Sequence, residues 1–166
     1  MARKTPRMTH VDRHGAARMV DVSGKSITSR TARASAKITM SAETLRQIIS
    51  GKVAKGDVLQ VARIAGIQAA KRTCELIPLC HPLPIEAVQI DFEKCGEGQL
   101  VILAATKVRA RTGVEMEALA AATLAALTVY DMCKSFDRAM IIGPIQLETK
   151  AGGRSGSWRR QAGGSA

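Results

Sequence analysis

The sequence predicts an α+β fold, one antiparallel sheet packed by helices, and three observations carry that expectation. Residues 87–95 and 100–109 are strand-like and flank Gly96-Glu97-Gly98-Gln99, a hairpin signal. The alanine-rich segment 113–138 places Val114, Leu119, Leu124, Leu127 and Met132 at helical spacing, with no Pro or Gly after Gly113. With an N-terminal strand and a small extra helix set aside, the periodicities run strand, helix, strand, strand, helix, strand. That is the split β-α-β order called ferredoxin-like.

In chain order, residues 1–8 are a basic arm expected to be flexible, and Met19–Val22 alternates like a short strand before the polar run SGKSITSR. Arg33–Met40 is the next strand, with Ala34, Ala36, Ile38 and Met40 on one face. Ser41 can cap the extra helix, whose Leu45, Ile48 and Ile49 form an apolar face and which Gly51 ends. Asp57 can cap a longer helix to about Thr73, built on Val58, Val61, Ala62, Ala65 and Ala69. In ELIPLCHPLPIE, Pro78, Pro82 and Pro84 forbid a regular ladder or helix interior, so a stiff loop presents Cys80 and His81. The central helix over 113–138 carries Glu115 and Glu117 in its first turn and Lys134 and Arg138 in its last, complementing its dipole. Met140–Leu147 is the last strand, broken at Gly143-Pro144 and so expected at an edge or with a bulge. One domain over 9–156 results, followed by a flexible tail over 157–166.

The 166 residues suffice for one core, and the formal charge is +11. Six of the 25 basic residues, Arg3, Lys4, Arg7, Arg154, Arg159 and Arg160, lie in polar terminal stretches; without them 19 basic face 14 acidic residues, a net +5. Such an excess suits a small anionic ligand as well as a nucleic-acid backbone. An RNA-binding sheet needs exposed aromatics for stacking, and the body offers Phe92, Tyr130 and Phe136 in no RNA-binding motif, so no nucleic-acid partner is expected. The N-terminus has no apolar signal core, and the run 118–130 is short for a bilayer, so a cytoplasmic protein without membrane contact is expected. Cys74, Cys80, Cys95 and Cys133 have no C-x-x-C spacing; reduced thiols and no metal site are expected.

Glu117, Asp131 and Lys134 punctuate the small-residue surface of the central helix and are the first candidates for chemistry. Asp131 and Lys134 share a face at i, i+3, which a surface ion pair would equally explain. His81 in its proline-braced loop is another candidate, since stiffness is what positioning a reactive group requires. Lys52 and Lys55 fall in a loop, where lysines are commonly solvated charge. Lys150 with GGRSG could close over a phosphate through backbone N–H groups, although such runs are commonly linkers.

Three stretches together, KGDVLQVARIAGIQAAKRTCELIPLCHPL, TGVEMEALAAATLAALTVYDMCKSFDRAMIIGPIQL and KAGGRSG, resemble the cyclic pyranopterin monophosphate synthase family, molybdenum cofactor biosynthesis protein C. LCHPL, then GVEMEAL, then YDMCK carry most of the specificity, and the likeness runs from about Thr9 to Gly156. It implies a lyase that converts 3′,8-cyclo-7,8-dihydro-GTP into cyclic pyranopterin monophosphate and pyrophosphate by general acid–base catalysis. It also implies a ferredoxin-like subunit in a homohexamer, a trimer of dimers with active sites at the dimer interface. Residue by residue, the family's catalytic aspartate falls on Asp131 and its lysine on Lys134. Substrate contacts fall on Leu79, Cys80, His81, Met116 and Glu117, and Lys55, Arg30 and Lys150 match basic positions of the pocket. The chain departs from the pattern at Arg154, where many relatives carry Lys, and in the alanines after Glu117.

The implied reaction changes no oxidation state, so it requires proton transfers and phosphoryl displacement and no redox cofactor. Asp131, Lys134, Glu117 and His81 would move protons. Lys55, Arg30 and Lys150 would neutralise the triphosphate, which can carry its own Mg²⁺, and Lys55 or Lys134 could act as an acid if desolvation lowered its pKa. A regulatory sensor that binds the ligand without turnover is the competing reading. Glu117 and Asp131 stand about 14 residues apart, on the order of 21 Å along a straight helix, so one small substrate cannot touch both on one chain. A site shared between two-fold partners follows, unless the substrate spreads along the helix or the helix kinks.

Overall fold

The computed structural model describes residues 10–12 and 14–161. Five strands form one antiparallel sheet: β1 (Thr28–Thr39), β2 (Ala87–Cys95), β3 (Gln99–Ala110), β4 (Ile141–Ala151) and β5 (Trp158–Arg159). Their spatial order is β2-β3-β1-β4-β5, so the first four strands have the ferredoxin-like arrangement. Helices α1 (Ala42–Ile49), α2 (Val58–Lys71), the single turn α3 (Thr73–Leu76) and α4 (Glu115–Cys133) complete the fold.

Strand β1 works as the spine because every second residue from Ala32 to Ile38 is buried on one face, while Ser35 on the other face is covered too. Ala32, Ala34, Ala36 and Ile38 are buried on one face and meet Leu100, Ile102, Ala104 and Val108 of β3, with α4 lying over them. The small side chains of β1 let α4 sit close to the sheet. The register between β1 and β3 is continuous from Thr28↔Ala110 to Thr39↔Gln99. Against β4 it shifts twice, and the shift between Ala36 and Ile38 falls at Gly143-Pro144, the irregularity the proline implied.

Small residues also decide how α2 meets α4. Ala62, Gly66 and Ala69 of α2 are buried, as are Ala118, Ala121, Ala122 and Ala125 of α4. By length and composition α4 could cross a membrane, yet half of its apolar window is buried in this domain, so packing between sheet and α2 accounts for its character.

The caps form as their chemistry requires: the Ser41 hydroxyl accepts from the Thr44 N–H and the Asp57 carboxylate from the Gln60 N–H. Several expectations need correction. No strand forms at Met19–Val22; among the described residues the N-terminal pairing is one bridge, Val11↔Ala17. The Asp21 carboxylate accepts from the Ser23 N–H and the Val20 carbonyl is bonded by His81, so this backbone is committed elsewhere. Strand β1 begins at Thr28, inside the polar run before the strand expected from Arg33, because pairing with β3 outweighs the lack of apolar residues. Helix α4 ends at Cys133, well before Arg138, where Asp137 is drawn off to accept from the Ser41 N–H and the Thr44 hydroxyl of α1. Ile49 and Val61, expected on apolar faces, are exposed. The segment expected as a tail begins with β5, because Gly152, Gly153 and Gly156 take positive φ and turn the chain back onto β4. The arm 1–8 and residues 162–166 lie outside the described residues.

Gly66 tests the helix contact. A Cβ there would meet the Ile90 side-chain end, which can move, and the Ala121 carbonyl oxygen at 2.8 Å, which cannot. Gly→Ala inside a helix ordinarily gains about 1 kcal/mol. Gly66→Ala is expected instead to destabilise by roughly 1–3 kcal/mol as an overpacked contact. Thermal unfolding of the variant measures this, and a raised midpoint would show that the helices can separate freely.

Candidate functional site

Two adjoining clefts open where the N-terminus of α4 meets the sheet. The larger, ≈ 710 Å³, lies between the start of β1, the turn at 111–113 and the segment 150–155, and Lys25, Arg30, Arg111, Lys150 and Arg154 line it together with Glu115. The smaller, ≈ 340 Å³, is lined by Leu79, Cys80, His81, Met116 and Glu117. Lys25, Thr112, Gly113 and Glu115 border both, so the two are parts of one depression.

The cations are held by backbone. Arg30 donates from Nε to the Ala110 carbonyl at 3.0 Å and from Nη2 to the Arg111 carbonyl at 3.1 Å, while Arg111 Nε donates to the Lys25 carbonyl at 3.1 Å. Lys150 donates to the Ser155 hydroxyl and stands 3.9 Å from the Glu115 carboxylate. Five cations against one carboxylate give the larger cleft a net positive charge, which suits an anion.

The smaller cleft holds the titratable groups. The Thr106 hydroxyl of β3 donates to the Val114 carbonyl and so pins the start of α4, which carries Glu117. Glu117 is only 4% exposed, and burial first, then the charge of Glu115, pushes its pKa up to about 6, against the pull of its own backbone N–H. A carboxyl with that pKa exchanges protons readily near neutrality. His81 Nε2 lies 2.8 Å from the Val20 carbonyl; donating there in the neutral ring, it leaves Nδ1 as the free lone pair. Burial raises the Cys80 thiol, with Glu117 and Cys74 adding to the effect, so it lines the cleft as a neutral group rather than a nucleophile.

Asp131, Lys134 and Lys55 are elsewhere, at the opposite end of α4. Lys134 Nζ donates to the Asp131 carboxylate at 2.7 Å, and Lys55 Nζ reaches the Asp131 carbonyl at 3.3 Å. The hydrogen bond from Lys134 and then its charge hold the Asp131 carboxyl below the ordinary range, and Asp131 raises Lys134 in return. Lys134 is therefore not the depressed acid that desolvation would make, because this end of α4 is exposed. The candidates thus form two groups at the two ends of α4, and neither cleft includes the Asp131 group.

Sequence reasoning passed over Lys25 and Arg111, and treated Glu115 as a dipole partner alone. The available signal was Arg111-Thr112-Gly113, a basic turn just before a helix N-terminus. Lys25 had no local signal, since it reaches the cleft through the fold. Among the described residues no group of three or more His, Cys, Asp or Glu side chains could hold a metal ion.

The family profile described as the MoaC family matches residues 19–153. The chain is 61% identical over 153 residues to cyclic pyranopterin monophosphate synthase 3 of Mycobacterium tuberculosis (strain ATCC 25618 / H37Rv), covering 92% of this chain and 86% of that protein. It is 53% identical to cyclic pyranopterin monophosphate synthase of Desulfitobacterium hafniense, over 93% of this chain and 94% of the relative. It is 52% identical to the synthase of that name in Brevibacillus brevis, over 94% and 98%.

The raised pKa of Glu117 makes stability depend on pH. A carboxyl that binds its proton more tightly folded than unfolded loses stability as pH rises from 4.5 through about 6. Glu117→Gln removes the buried charge, so the variant is expected to exceed the parent at pH 8 by up to about 2 kcal/mol, a gap that closes near pH 4. Urea unfolding at both pH values measures this. An equal gap at both would show that Glu117 titrates normally.

Proposed function

Because this chain belongs to the MoaC family, we propose that it is a cyclic pyranopterin monophosphate synthase, a lyase of molybdenum cofactor biosynthesis. Its substrate is 3′,8-cyclo-7,8-dihydro-GTP, and its products are cyclic pyranopterin monophosphate and pyrophosphate. The observation that carries the reading is the joining of a five-cation cleft to one holding Glu117 and His81. Lys25, Arg30, Arg111, Lys150 and Arg154 neutralise the triphosphate, whose terminal two phosphates leave as pyrophosphate while the remaining one closes onto the sugar-derived ring. Glu117 and His81 move protons on the purine-derived part. The reaction takes place in the cytoplasm and changes no oxidation state, so it calls for no redox cofactor. Phe92 packs against the core with the Arg63 guanidinium 5.3 Å over its ring, which supports the small-molecule reading over RNA binding.

Asp131, Lys134 and Lys55 enter the site from a second copy. The outer face of α4 runs through Met116, Ala120, Thr123, Leu124 and Leu127 to Asp131, with Met116 and Leu127 38% and 50% exposed. The hydroxyls of Thr123 and Thr128 donate to Leu119 and Leu124 carbonyls on their own helix, leaving this face apolar. Residue 124 is midway between 117 and 131, so two α4 helices crossing antiparallel about a two-fold axis there bring Asp131 of one chain to Glu117 of the other. Such contact would also desolvate Lys134 and Asp131, supplying the pKa shift the single chain lacks. This dimer repeated three times gives the hexamer.

Incubating the protein with 3′,8-cyclo-7,8-dihydro-GTP and measuring released pyrophosphate tests the activity; binding without release would make it a sensor. Asp131→Asn is expected to lower turnover by about 10²–10⁴-fold with the fold intact. Near-normal turnover would return Asp131 to a surface ion pair. Refolding a mixture of inactive Glu117→Ala and Asp131→Ala chains should restore up to roughly a quarter of parental activity, since one combination in four builds an intact site. Zero recovery with chain exchange demonstrated would mean that each site belongs to one chain.

A further inference from the structure

We propose that the turn residues Gly152–Ser155 act as a positioning element of the anion cleft, Gly153 backing the Arg30 guanidinium and Ser155 holding the Lys150 ammonium. The proposal rests on reading that cleft as the triphosphate site, and it concerns how the cations are aimed, not whether they bind. Three contacts point to it. A Cβ on Gly153 would collide with Arg30 Nη1 and stand 2.7 Å from Cζ and 2.9 Å from Nη2. An arginine tip normally swings away from such a contact, but this one is tied through Nε and Nη2 to the Ala110 and Arg111 carbonyls. Displacement therefore breaks both bonds. Gly152, at φ +101°, lets the turn cross β1 where a side chain would strike the Ser29 carbonyl, so the turn is seated on the strand that carries Arg30. From the same turn the Ser155 hydroxyl accepts from Lys150 Nζ.

The glycines thus serve the phosphates indirectly. Rather than cradling an anion with its own N–H groups, the turn fixes two long, rotamer-rich side chains before the ligand arrives, which removes an ordering cost from binding. Gly153 and Ser155 are positioning residues in this account; neither needs to touch substrate.

Gly156 provides an internal control. It follows those residues at φ +63°, close to the +72° of Gly153, but nothing lies within 4 Å of a Cβ placed on it. Gly156→Ala and Gly153→Ala therefore share the backbone penalty, and only the second strikes Arg30. Titrating inorganic triphosphate into each protein by calorimetry reads the cleft without turnover. Gly153→Ala is expected to weaken binding about tenfold or more, and Gly156→Ala by no more than about twofold. In an Arg30→Ala background, Gly153→Ala should have no further effect, the non-additivity expected of residues acting through one contact. Ser155→Ala should weaken binding about threefold and Ser155→Thr restore it. In turnover, Gly153→Ala should raise KM while leaving kcat within about twofold, because the lost interaction is binding common to ground and transition states. Equal losses for Gly153→Ala and Gly156→Ala, or additive losses of Gly153→Ala and Arg30→Ala, would overturn the proposal. So would a parent protein that binds no inorganic triphosphate, and pyrophosphate release by that same parent would show that the synthase reading survives the failure.

Discussion

Close approach through small side chains is the constraint on which the rest of this structure depends. The buried faces that meet along α4 are Ala32, Ala34 and Ala36 on the sheet, Ala62, Gly66 and Ala69 on α2, and the alanines of α4 itself. Contacts of this kind leave little room to adjust, because the nearest atoms are backbone or Cβ and have no rotamer to change. The helix is consequently a stiff rod fixed in position by both neighbours. The buried Glu117 carboxyl at its N-terminal end and the Asp131–Lys134 ion pair at its C-terminal end are therefore held at a set distance.

That rigidity explains how the electrostatics divide. At the N-terminal end Glu117 is covered by the proline-braced loop and the start of the helix, so desolvation raises its pKa. At the C-terminal end Asp131 and Lys134 meet solvent, and their mutual attraction keeps both charged. One helix thus offers a carboxyl poised for exchange and a carboxylate locked in its ionised form. For the reaction proposed, the two are complementary only when they face each other across a two-fold axis, and the apolar outer stripe of α4 is the surface that would bring them together.

The cationic cleft is built on a different principle. Its cations arise from four separate stretches of chain, and the order among them comes from backbone carbonyls and from the glycine turn after β4. Arginine suits this arrangement, since its fork can bond to two carbonyls and keep its charge. The same turn leads into β5, so the sheet edge and the anion cleft are finished by one feature of the chain.

The sequence by itself determined the order of the first four strands and of helices α1, α2 and α4, the caps at Ser41 and Asp57, the hairpin, the break at Gly143-Pro144, and which residues to examine. These are local matters: periodicity, capping chemistry and proline geometry act over a few residues and are read from a few residues. It did not determine that Thr28–Arg30 are strand, because only pairing with β3 supplies a reason for polar residues to extend there. It placed the end of α4 too late, because the helix stops where Asp137 finds the N-terminus of α1, almost a hundred positions away in the chain. Only the tertiary structure brought Lys25, Arg30, Arg111 and Lys150 to one cleft, whereas the distance of Asp131 from Glu117 was legible in the length of one helix. Cleft charge is a sum over distant parts of the chain, and no window of sequence contains it.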